Sequence, residues 1–259
     1  MRWLLALLVL LAAAPAGADE LFERANADYA ARNYDAAIVK YEQLVASGVK
    51  HEDLFYNLGN AYFRAAQAGQ KDRLGRAILA YERSLALVTD FEDARFNLDV
   101  ARELVSARYG QDKVKDASLD PLWVRIASWL PLSTLSWLFF GVDVLFFALL
   151  IGVRFLPTGF LRTGLIVATV FSGLAALVLG ALLALQVYYL ETVKVGVVVV
   201  DEIVMREGPD TSRREGPKLH AGHRAQLLLE DHGWIRIRLA NQVEGWVPRQ
   251  SVEEIGAAL

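Results

Sequence analysis

Residues 36–44 read AAIVKYEQL, and residues 76–85 read RAILAYERSL. A second pair of similar segments accompanies them, YNLGNA at 56–61 and FNLDVA at 96–101. Both pairs align at an offset of 40 residues, which indicates an internal repeat rather than two unrelated helices. The surrounding residues contain no proline and are rich in Ala, Leu, Tyr, Glu and Arg. We therefore predict that the repeating unit is helical.

The order of small and aromatic residues resembles the tetratricopeptide repeat, a helix pair of about 34 residues. Five positions carry the match: Leu58, Gly59 and Tyr62 in the first helix, Ala77 and Tyr81 in the second. RNYDAAIVKY at 32–41 matches the junction of the two helices, and AAQAGQKDRL lengthens the second repeat. The resemblance implies an all-α solenoid over residues 19–105, with residues 91–105 as a capping helix.

The same resemblance implies a groove lined mainly by the first helix of each repeat. Six side chains are candidates to face a partner there: Asn26, Tyr29, Asn57, Asn60, Phe63 and Asn97. Asparagine amides can bind a peptide backbone, although the alternative is that they cap or solvate helix surfaces. Because such arrays normally need three repeats, we expect this one to gain stability by docking onto a partner or its own membrane segment.

The N-terminus has the pattern of a secretory signal. Arg2 precedes the apolar run LLALLVLLAAA, which is too short to span a bilayer, and PAGA follows. We predict a signal peptide over residues 1–18, cleaved after Ala18, so that the mature chain begins outside the cytoplasmic membrane. The alternative is an uncleaved N-terminal anchor.

Two later runs, 133–153 and 163–190, are apolar enough to be transmembrane helices. The loop between them, 154–162, carries two arginines and no acid, so the positive-inside rule makes it cytoplasmic. Both flanking domains then face the periplasm from the inner membrane, in agreement with the signal peptide. Upstream we predict a polar linker at 106–120 and an interfacial amphipathic helix at 121–132, whose alternative is a buried amphipathic helix.

Asp143 interrupts the first of these runs, in the segment GVDVLFF. We predict that it faces the interior of the hairpin near Gly173, either protonated or paired with Thr169 or Ser172 or with a basic group on a partner helix. The second run also carries small residues at every fourth position from Gly164 to Ala184, including Ser172, Ala176 and Gly180. Such a stripe favours close helix packing, and chance in an Ala- and Gly-rich span is the alternative.

Residues 195–256 have the pattern of short strands. In WIRIRL the alternation puts Ile235 and Ile237 on one face, and DHG is a hairpin turn signal. R-x-G-P, GW and GWVP resemble a bacterial SH3-like barrel. In that resemblance Trp234 and Pro248 take the groove positions, beside Arg236 and Arg238, while Ser251 stands where tyrosine is expected. The surface would bind a partner or a glycan; alternatively the tryptophans pack against loops.

Composition and motifs exclude several classes of function. A net charge of -3 offers no basic face for nucleic acid, and the absence of cysteine excludes disulfides and thiolate metal sites. No metalloprotease helix, phosphate loop, nucleophile elbow or dinucleotide fingerprint occurs. His220 and His223 lack a carboxylate third ligand. We therefore predict no enzyme activity, no cofactor and no metal.

The order of signal peptide, tetratricopeptide repeats, membrane hairpin and SH3-like barrel resembles the BatE-type proteins of the Bat aerotolerance clusters. YNLGNAYFR followed by AILAYERSLAL is the segment most similar to that family. The resemblance implies a non-catalytic scaffold in an envelope complex for stress tolerance or envelope integrity. Membrane proteins with von Willebrand factor A domains and a MoxR-type ATPase belong to the same clusters. The alternative function is binding of cell-wall peptidoglycan through the SH3-like barrel.

Overall fold

The computed structural model describes residues 17–109 and 130–256. Most of three predicted segments lies outside the described residues. These parts are residues 1–16 of the signal peptide, residues 110–120 of the linker and residues 121–129 of the interfacial helix. The described chain forms two compact units. The larger contains residues 17–109 and 194–256, and the smaller contains residues 130–193.

Five helices begin the larger unit, and each packs against the next along the chain. They are α1 (Ala18–Ala30), α2 (Tyr34–Ala46), α3 (Glu52–Gln67), α4 (Arg73–Leu87) and α5 (Glu92–Tyr109). α1 also contacts α3, and α3 contacts α5, so alternate helices are neighbours in a stack. α5 continues past the predicted boundary at residue 105 to Tyr109, and the first residues of the predicted linker are therefore helical.

The repeated small and aromatic residues fill the space between these helices. Ala37 and Ala77 are fully buried, as are Tyr41 and Tyr81 at the equivalent positions of α2 and α4. A Cβ atom at Gly59 would lie 2.6 Å from Cε1 of Tyr81, so only glycine lets α3 approach the ring this closely. The pairing of a missing side chain with a large ring is therefore a requirement of packing.

Seven antiparallel strands follow in one sheet with the order β3-β2-β6-β5-β4-β1-β7. They are β1 (Lys194–Val198), β2 (Glu202–Arg206), β3 (Glu215–His220), β4 (Arg224–Asp231), β5 (Trp234–Arg238), β6 (Glu244–Pro248) and β7 (Val252–Glu254). Ile235 and Ile237 are buried, which confirms the predicted alternation. The β4–β5 turn at His232 and Gly233 has positive φ at both residues, as two-residue hairpin turns favour.

The helices and the sheet share a core, because β1 is buried on both of its faces. Val198 packs into the sheet's own core, whereas Val197 and Val199 join the core of the helices. Ile255, next to β7, joins the helical core as well. The unbroken apolar run GVVVV therefore marks a strand enclosed between two layers, and α4 is the helix that contacts it.

The smaller unit is a pair of long apolar helices, α6 (Leu132–Phe155) and α7 (Phe160–Thr192). Both are long and apolar enough to cross a membrane. Among the described residues of this unit, only Leu135, Thr169 and Ser172 are buried. The protein is therefore a multidomain chain of helical and β parts that carries two helices suited to a bilayer.

Candidate functional site

Two similar polar clusters link successive helices of the stack. The Tyr41 hydroxyl donates to Oδ1 of Asn26 at 2.6 Å, and Nδ2 of Asn57 donates to the same oxygen at 3.3 Å. In the next repeat the Tyr81 hydroxyl donates to Oδ1 of Asn60 at 2.8 Å, and Nδ2 of Asn97 donates to that oxygen at 2.8 Å. Burial raises the pKa of both tyrosines, so both phenols stay protonated as donors.

The four asparagines predicted to face a groove are thus the acceptors and donors of these clusters. All four are half-buried, and the amide of each is hydrogen-bonded to a side chain on a neighbouring helix. Tyr29 packs its ring against Tyr34, with centroids 5.6 Å apart, and the predicted groove residue Phe63 is half-buried at the edge of the helical core. The amides therefore fix the spacing of the helices in addition to any contact with a partner.

Phe96 is the exposed aromatic side chain on this part of the stack that the sequence prediction did not include. It is 68% exposed on α5, directly before Asn97. It occupies the same place in FNLDVA that Tyr56 occupies in YNLGNA. The Tyr56 hydroxyl accepts a hydrogen bond from Nδ2 of Asn97 at 3.3 Å, whereas Phe96 remains exposed.

The residues that were predicted to form a binding surface lie on two neighbouring strands: Trp234, Arg236 and Arg238 on β5, and Pro248 on β6. Trp234 lies opposite Pro248, and Arg236 lies opposite Trp246, because β5 and β6 pair in register. Arg206 of β2 lies opposite Trp246 on the other side. Trp246 is thus flanked by two arginines across neighbouring strands, an arrangement suited to an aromatic or sugar ring.

Carboxylates neutralise most of the positive charge on this face. Glu244 forms ion pairs of 2.6 Å with both Arg236 and Arg238, and Glu215 lies 3.2 Å from Arg206. The hydrogen bond from Arg238 lowers the pKa of Glu244, with Arg236 contributing, and keeps it ionised. The face therefore offers paired charges and planar groups rather than a site for a free anion.

A polar contact between α4 and the sheet was missed at the sequence level. Arg83 donates through Nη2 to the carbonyl of Glu254 at 2.8 Å and through Nε to that of Ile255 at 3.3 Å. Its side chain is only 12% exposed and lies 3.6 Å from Glu253. Burial lowers the pKa of Arg83, which the carboxylate of Glu253 opposes. An arginine inside a repeat helix resembles a surface residue, so this role could not be recognised from the sequence.

Gly75, in the first turn of α4, brings this helix against the sheet. A Cβ atom there would lie 2.7 Å from the carbonyl oxygen of Val199. On the other side Gly222, in the β3–β4 turn, would place a Cβ atom 2.5 Å from Cδ1 of Ile78. The sequence feature that could have indicated this contact is Gly75 itself. Glycine within a helix costs about 1 kcal/mol relative to alanine, so its presence suggests a packing requirement.

The end of α5 is held by the same sheet. The Tyr109 ring stacks on His220, with centroids 3.9 Å apart and planes at 14°. The Tyr109 hydroxyl donates to Oδ1 of Asp201. His223 lies next to this contact with Nδ1 2.9 Å from the His220 carbonyl oxygen, and burial lowers the pKa of His223. These contacts explain why the helix continues to Tyr109.

Asp143 lies in the wall of an open crevice between α6 and α7. The crevice has a volume of about 650 Å³, and its other walls are aromatic rings of α6 and small or apolar residues of α7. A Cβ atom at Gly173 would lie 3.0 Å from the Phe146 ring, and one at Gly180 would lie 3.2 Å from the Phe139 ring. Interpolation between these contacts puts Asp143 beside Ala176, one helical turn from the predicted position at Gly173.

The two hydroxyls proposed as internal partners of Asp143 bond elsewhere. Oγ1 of Thr169 donates to the Leu165 carbonyl at 2.8 Å, and Oγ of Ser172 donates to the Thr169 carbonyl at 2.9 Å. Within the described part of the hairpin neither is hydrogen-bonded to Asp143. The difference arises because a serine or threonine inside a helix can reach the carbonyl of the preceding turn without a partner. Of the predicted packing residues, Ala176 and Gly180 line the crevice.

One cluster in the described residues has metal-ligand chemistry, formed by His51, Glu52 and Asp53. Its histidine accepts a hydrogen bond from the Asp53 amide at 3.2 Å and so caps the start of α3. Both His51 and Asp53 are exposed. The cluster is therefore explained by helix capping and by the preference for acids in a first helical turn.

Comparison of the chain with protein-family models, with curated proteins and with solved structures gives no match.

Proposed function

We propose that this protein is a non-catalytic, membrane-anchored scaffold whose two extracytoplasmic modules present one combined binding surface to other envelope proteins. The observation that carries the proposal is the core shared by the helices and the sheet, because a shared core holds the two surfaces at a fixed spacing. The exposed Phe96 of α5 and the face around Trp246 then act together on one partner or on two.

The fold assignments within this proposal are tetratricopeptide repeats for α1 to α5 and a bacterial SH3-like barrel for the sheet. The matching positions are the buried pairs Ala37 with Tyr41 and Ala77 with Tyr81, and the contact of Gly59 with Tyr81. By resemblance to the BatE-type proteins, the partners are the von Willebrand factor A-domain membrane proteins of the Bat clusters. The process is then aerotolerance or another envelope stress response.

The test is co-purification of the full chain from detergent-solubilised membranes, with the von Willebrand factor A-domain proteins detected by antibody. We expect the unmodified chain to retain at least one of them and Phe96→Ser to lose it. Phe96 is largely exposed, so this substitution leaves the core intact. Val39→Ser, at an exposed apolar residue of α2, is the matched control and should retain the partner. Equal recovery with both variants would contradict binding through Phe96.

Membrane topology is the second part of the proposal: two spans with both modules in the periplasm and residues 156–159 in the cytoplasm. The chain has no cysteine, so single cysteines report position without background. We expect Thr158→Cys to react with an impermeant maleimide only after the membrane is permeabilised. Thr211→Cys, between β2 and β3, should react in intact spheroplasts. The reverse pattern would overturn the orientation.

A second candidate function is binding of peptidoglycan by the outer face of the sheet. Trp246 between Arg236 and Arg206, beside Trp234, favours it, because flat aromatic rings and arginines suit sugar rings. The measurement is sedimentation of the detergent-solubilised full chain with purified cell wall. We expect Trp234→Ala to reduce sedimentation, whereas Val243→Ala, at an exposed residue outside the face, should leave it unchanged. No sedimentation of the unmodified chain would exclude this candidate.

A further inference from the structure

The crevice between α6 and α7 is the feature that the proposed scaffold does not yet use. Phe139, Asp143 and Phe146 line its α6 side, at spacings that put all three on one helical face. The α7 side is lined by Ala176, Leu177 and Ala181 with the two glycines that contact the phenylalanines. Leu177 is 71% exposed, so the crevice is open beside Ala176. An open wall of small residues lets another helix approach closely.

The Asp143 carboxylate in this crevice has no hydrogen bond or ion pair with another described residue. The nearest candidates, Thr169 and Ser172, donate to main-chain carbonyls of their own helix. A carboxylate facing lipid costs several kcal/mol, and carboxylates inside spans pair with another polar or charged group. Charge complementarity therefore specifies a basic group at the depth of Ala176.

A second copy of this chain cannot supply that group. The other charged residues of α6 and α7 are Arg154, Arg162 and Glu191, all close to helix ends. Two copies inserted in the same direction would place one Asp143 against another, and like charges at close range repel. The basic group must come from a different protein.

We propose that the crevice binds a transmembrane helix of another protein that carries a lysine or arginine near its middle, paired with Asp143. The inference rests on the membrane insertion in the proposed function and names the chemistry of the partner helix. Phe139 and Phe146 form the floor on either side of the ion pair. The small residues of α7 admit the backbone of the incoming helix.

The experiment uses the full chain in phospholipid vesicles with synthetic Leu-Ala transmembrane peptides that carry either lysine or leucine at the centre. Association is measured by energy transfer between a labelled peptide and a label at Thr211→Cys. We expect the central-lysine peptide to bind about tenfold more tightly than the central-leucine peptide, in line with polar contacts between spans. Asp143→Leu should abolish the difference, and Asp143→Lys should restore it with a central-aspartate peptide.

A matched control moves the carboxylate without removing it. In Asp143→Leu combined with Leu145→Asp, the span still holds one carboxylate, but at a position outside the crevice lining. This variant should not distinguish the two peptides. If it binds the central-lysine peptide as tightly as the unmodified chain, the crevice is not the site.

Three outcomes would overturn the inference: equal binding of the two peptides, no rescue by the charge exchange, or self-association of the chain that Asp143→Leu abolishes. The last would make a second copy the occupant. Resistance of the chain to extraction by alkaline carbonate is measured on the same vesicles. Loss of that resistance would count against the proposed membrane scaffold, whereas an inserted chain that ignores the lysine would count against the partner helix alone.

Discussion

The larger unit of this protein buries its apolar side chains, whereas the hairpin exposes most of them. In the larger unit Tyr41, Phe55 and Tyr81 are buried, and the sheet adds valines to the same core. In the hairpin, Leu135 is the one apolar side chain among the described residues that is fully buried, and most of the phenylalanines and leucines are exposed. The hydrophobic effect in water favours the buried core of the larger unit, whereas the exposed apolar surface of the hairpin suits lipid.

In both units glycine allows a helix to pack closely, but the group that the helix packs against differs. Gly75 of α4 faces the main chain at Val199, whereas Gly173 and Gly180 of α7 face phenylalanine rings. A main chain in a sheet cannot move without breaking the ladder, but a ring can turn about its side-chain bonds. The contact between α4 and β1 is therefore less tolerant of substitution than the contact between the two spans.

Arg83→Met should give the largest loss of stability in the larger unit and leave the hairpin unaffected. It removes two charge-assisted hydrogen bonds to the carbonyls of Glu254 and Ile255 and leaves Glu253 without its cation. We expect the free energy of unfolding to fall by about 3 kcal/mol. Urea titration of the full chain in detergent, followed by circular dichroism, measures the change. Arg24→Met, at an exposed ion pair in α1, is the control and should cost under about 1 kcal/mol.

Gly75→Ala compared with Gly141→Ala tests the difference between main-chain and lipid neighbours. Helix propensity alone would stabilise both by up to about 1 kcal/mol. The Cβ atom at residue 75 meets the Val199 carbonyl, whereas nothing lies within 4 Å of the one at residue 141. We expect Gly75→Ala to lower the melting temperature, with a net cost of about 1–2 kcal/mol, and Gly141→Ala to raise it or leave it unchanged. A rise with Gly75→Ala would show that α4 does not dock as closely as described.

Tyr81→Phe and Thr169→Val remove one hydroxyl from each unit. The Tyr81 hydroxyl joins two helices through Asn60, so its loss should cost about 1 kcal/mol. The Thr169 hydroxyl donates to its own helix, so its loss should have almost no effect. Thermal unfolding of the full chain compares the two, and Tyr41→Phe should match Tyr81→Phe. Equal effects of Tyr81→Phe and Thr169→Val would contradict a structural role of the polar clusters.

Acidification should weaken the larger unit slightly through His223. Burial lowers the pKa of His223 in the folded state, so the unfolded chain binds more protons below its ordinary pKa of about 6.5. The contribution of His223 to the free energy of unfolding is therefore fully present above that pH and declines as the pH falls through it. His223→Gln should flatten this part of the pH profile of the melting temperature. His232→Asn, at an exposed turn histidine, should leave the profile unchanged.

Much of the local structure could be predicted from the sequence. The offset between AAIVKY and RAILAY predicted paired helices, the alternation in WIRIRL predicted a half-buried strand, and DHG predicted the hairpin turn. These patterns follow from covalent geometry and burial, which act over a few residues. The extent of α5 could not be predicted in this way, because Tyr109 is held by His220 of β3 and by Asp201, which lies between β1 and β2.

The candidate surfaces show the same division. Trp234 and Pro248 lie opposite each other because β5 and β6 pair in register, and their use as a binding surface stays a prediction. The polar clusters required the tertiary structure, since Asn26 and Asn57 are 31 residues apart and Nδ2 of Asn57 reaches Oδ1 of Asn26 only after the helices stack. Phe96 was overlooked because exposure of a single phenylalanine cannot be inferred from its place in a repeat.

By itself the sequence determined which segments are helices, strands and apolar spans, because those depend on the period of side chains along one segment. Only the tertiary structure decided that the helical stack and the sheet share a core and that β1 is buried on both faces. It also decided that Asp143 lies in an open crevice while Thr169 and Ser172 bond to their own helix. The physical reason is that partners such as Arg83 and Glu254 are separated by 171 residues, and their contact depends on the packing of whole elements.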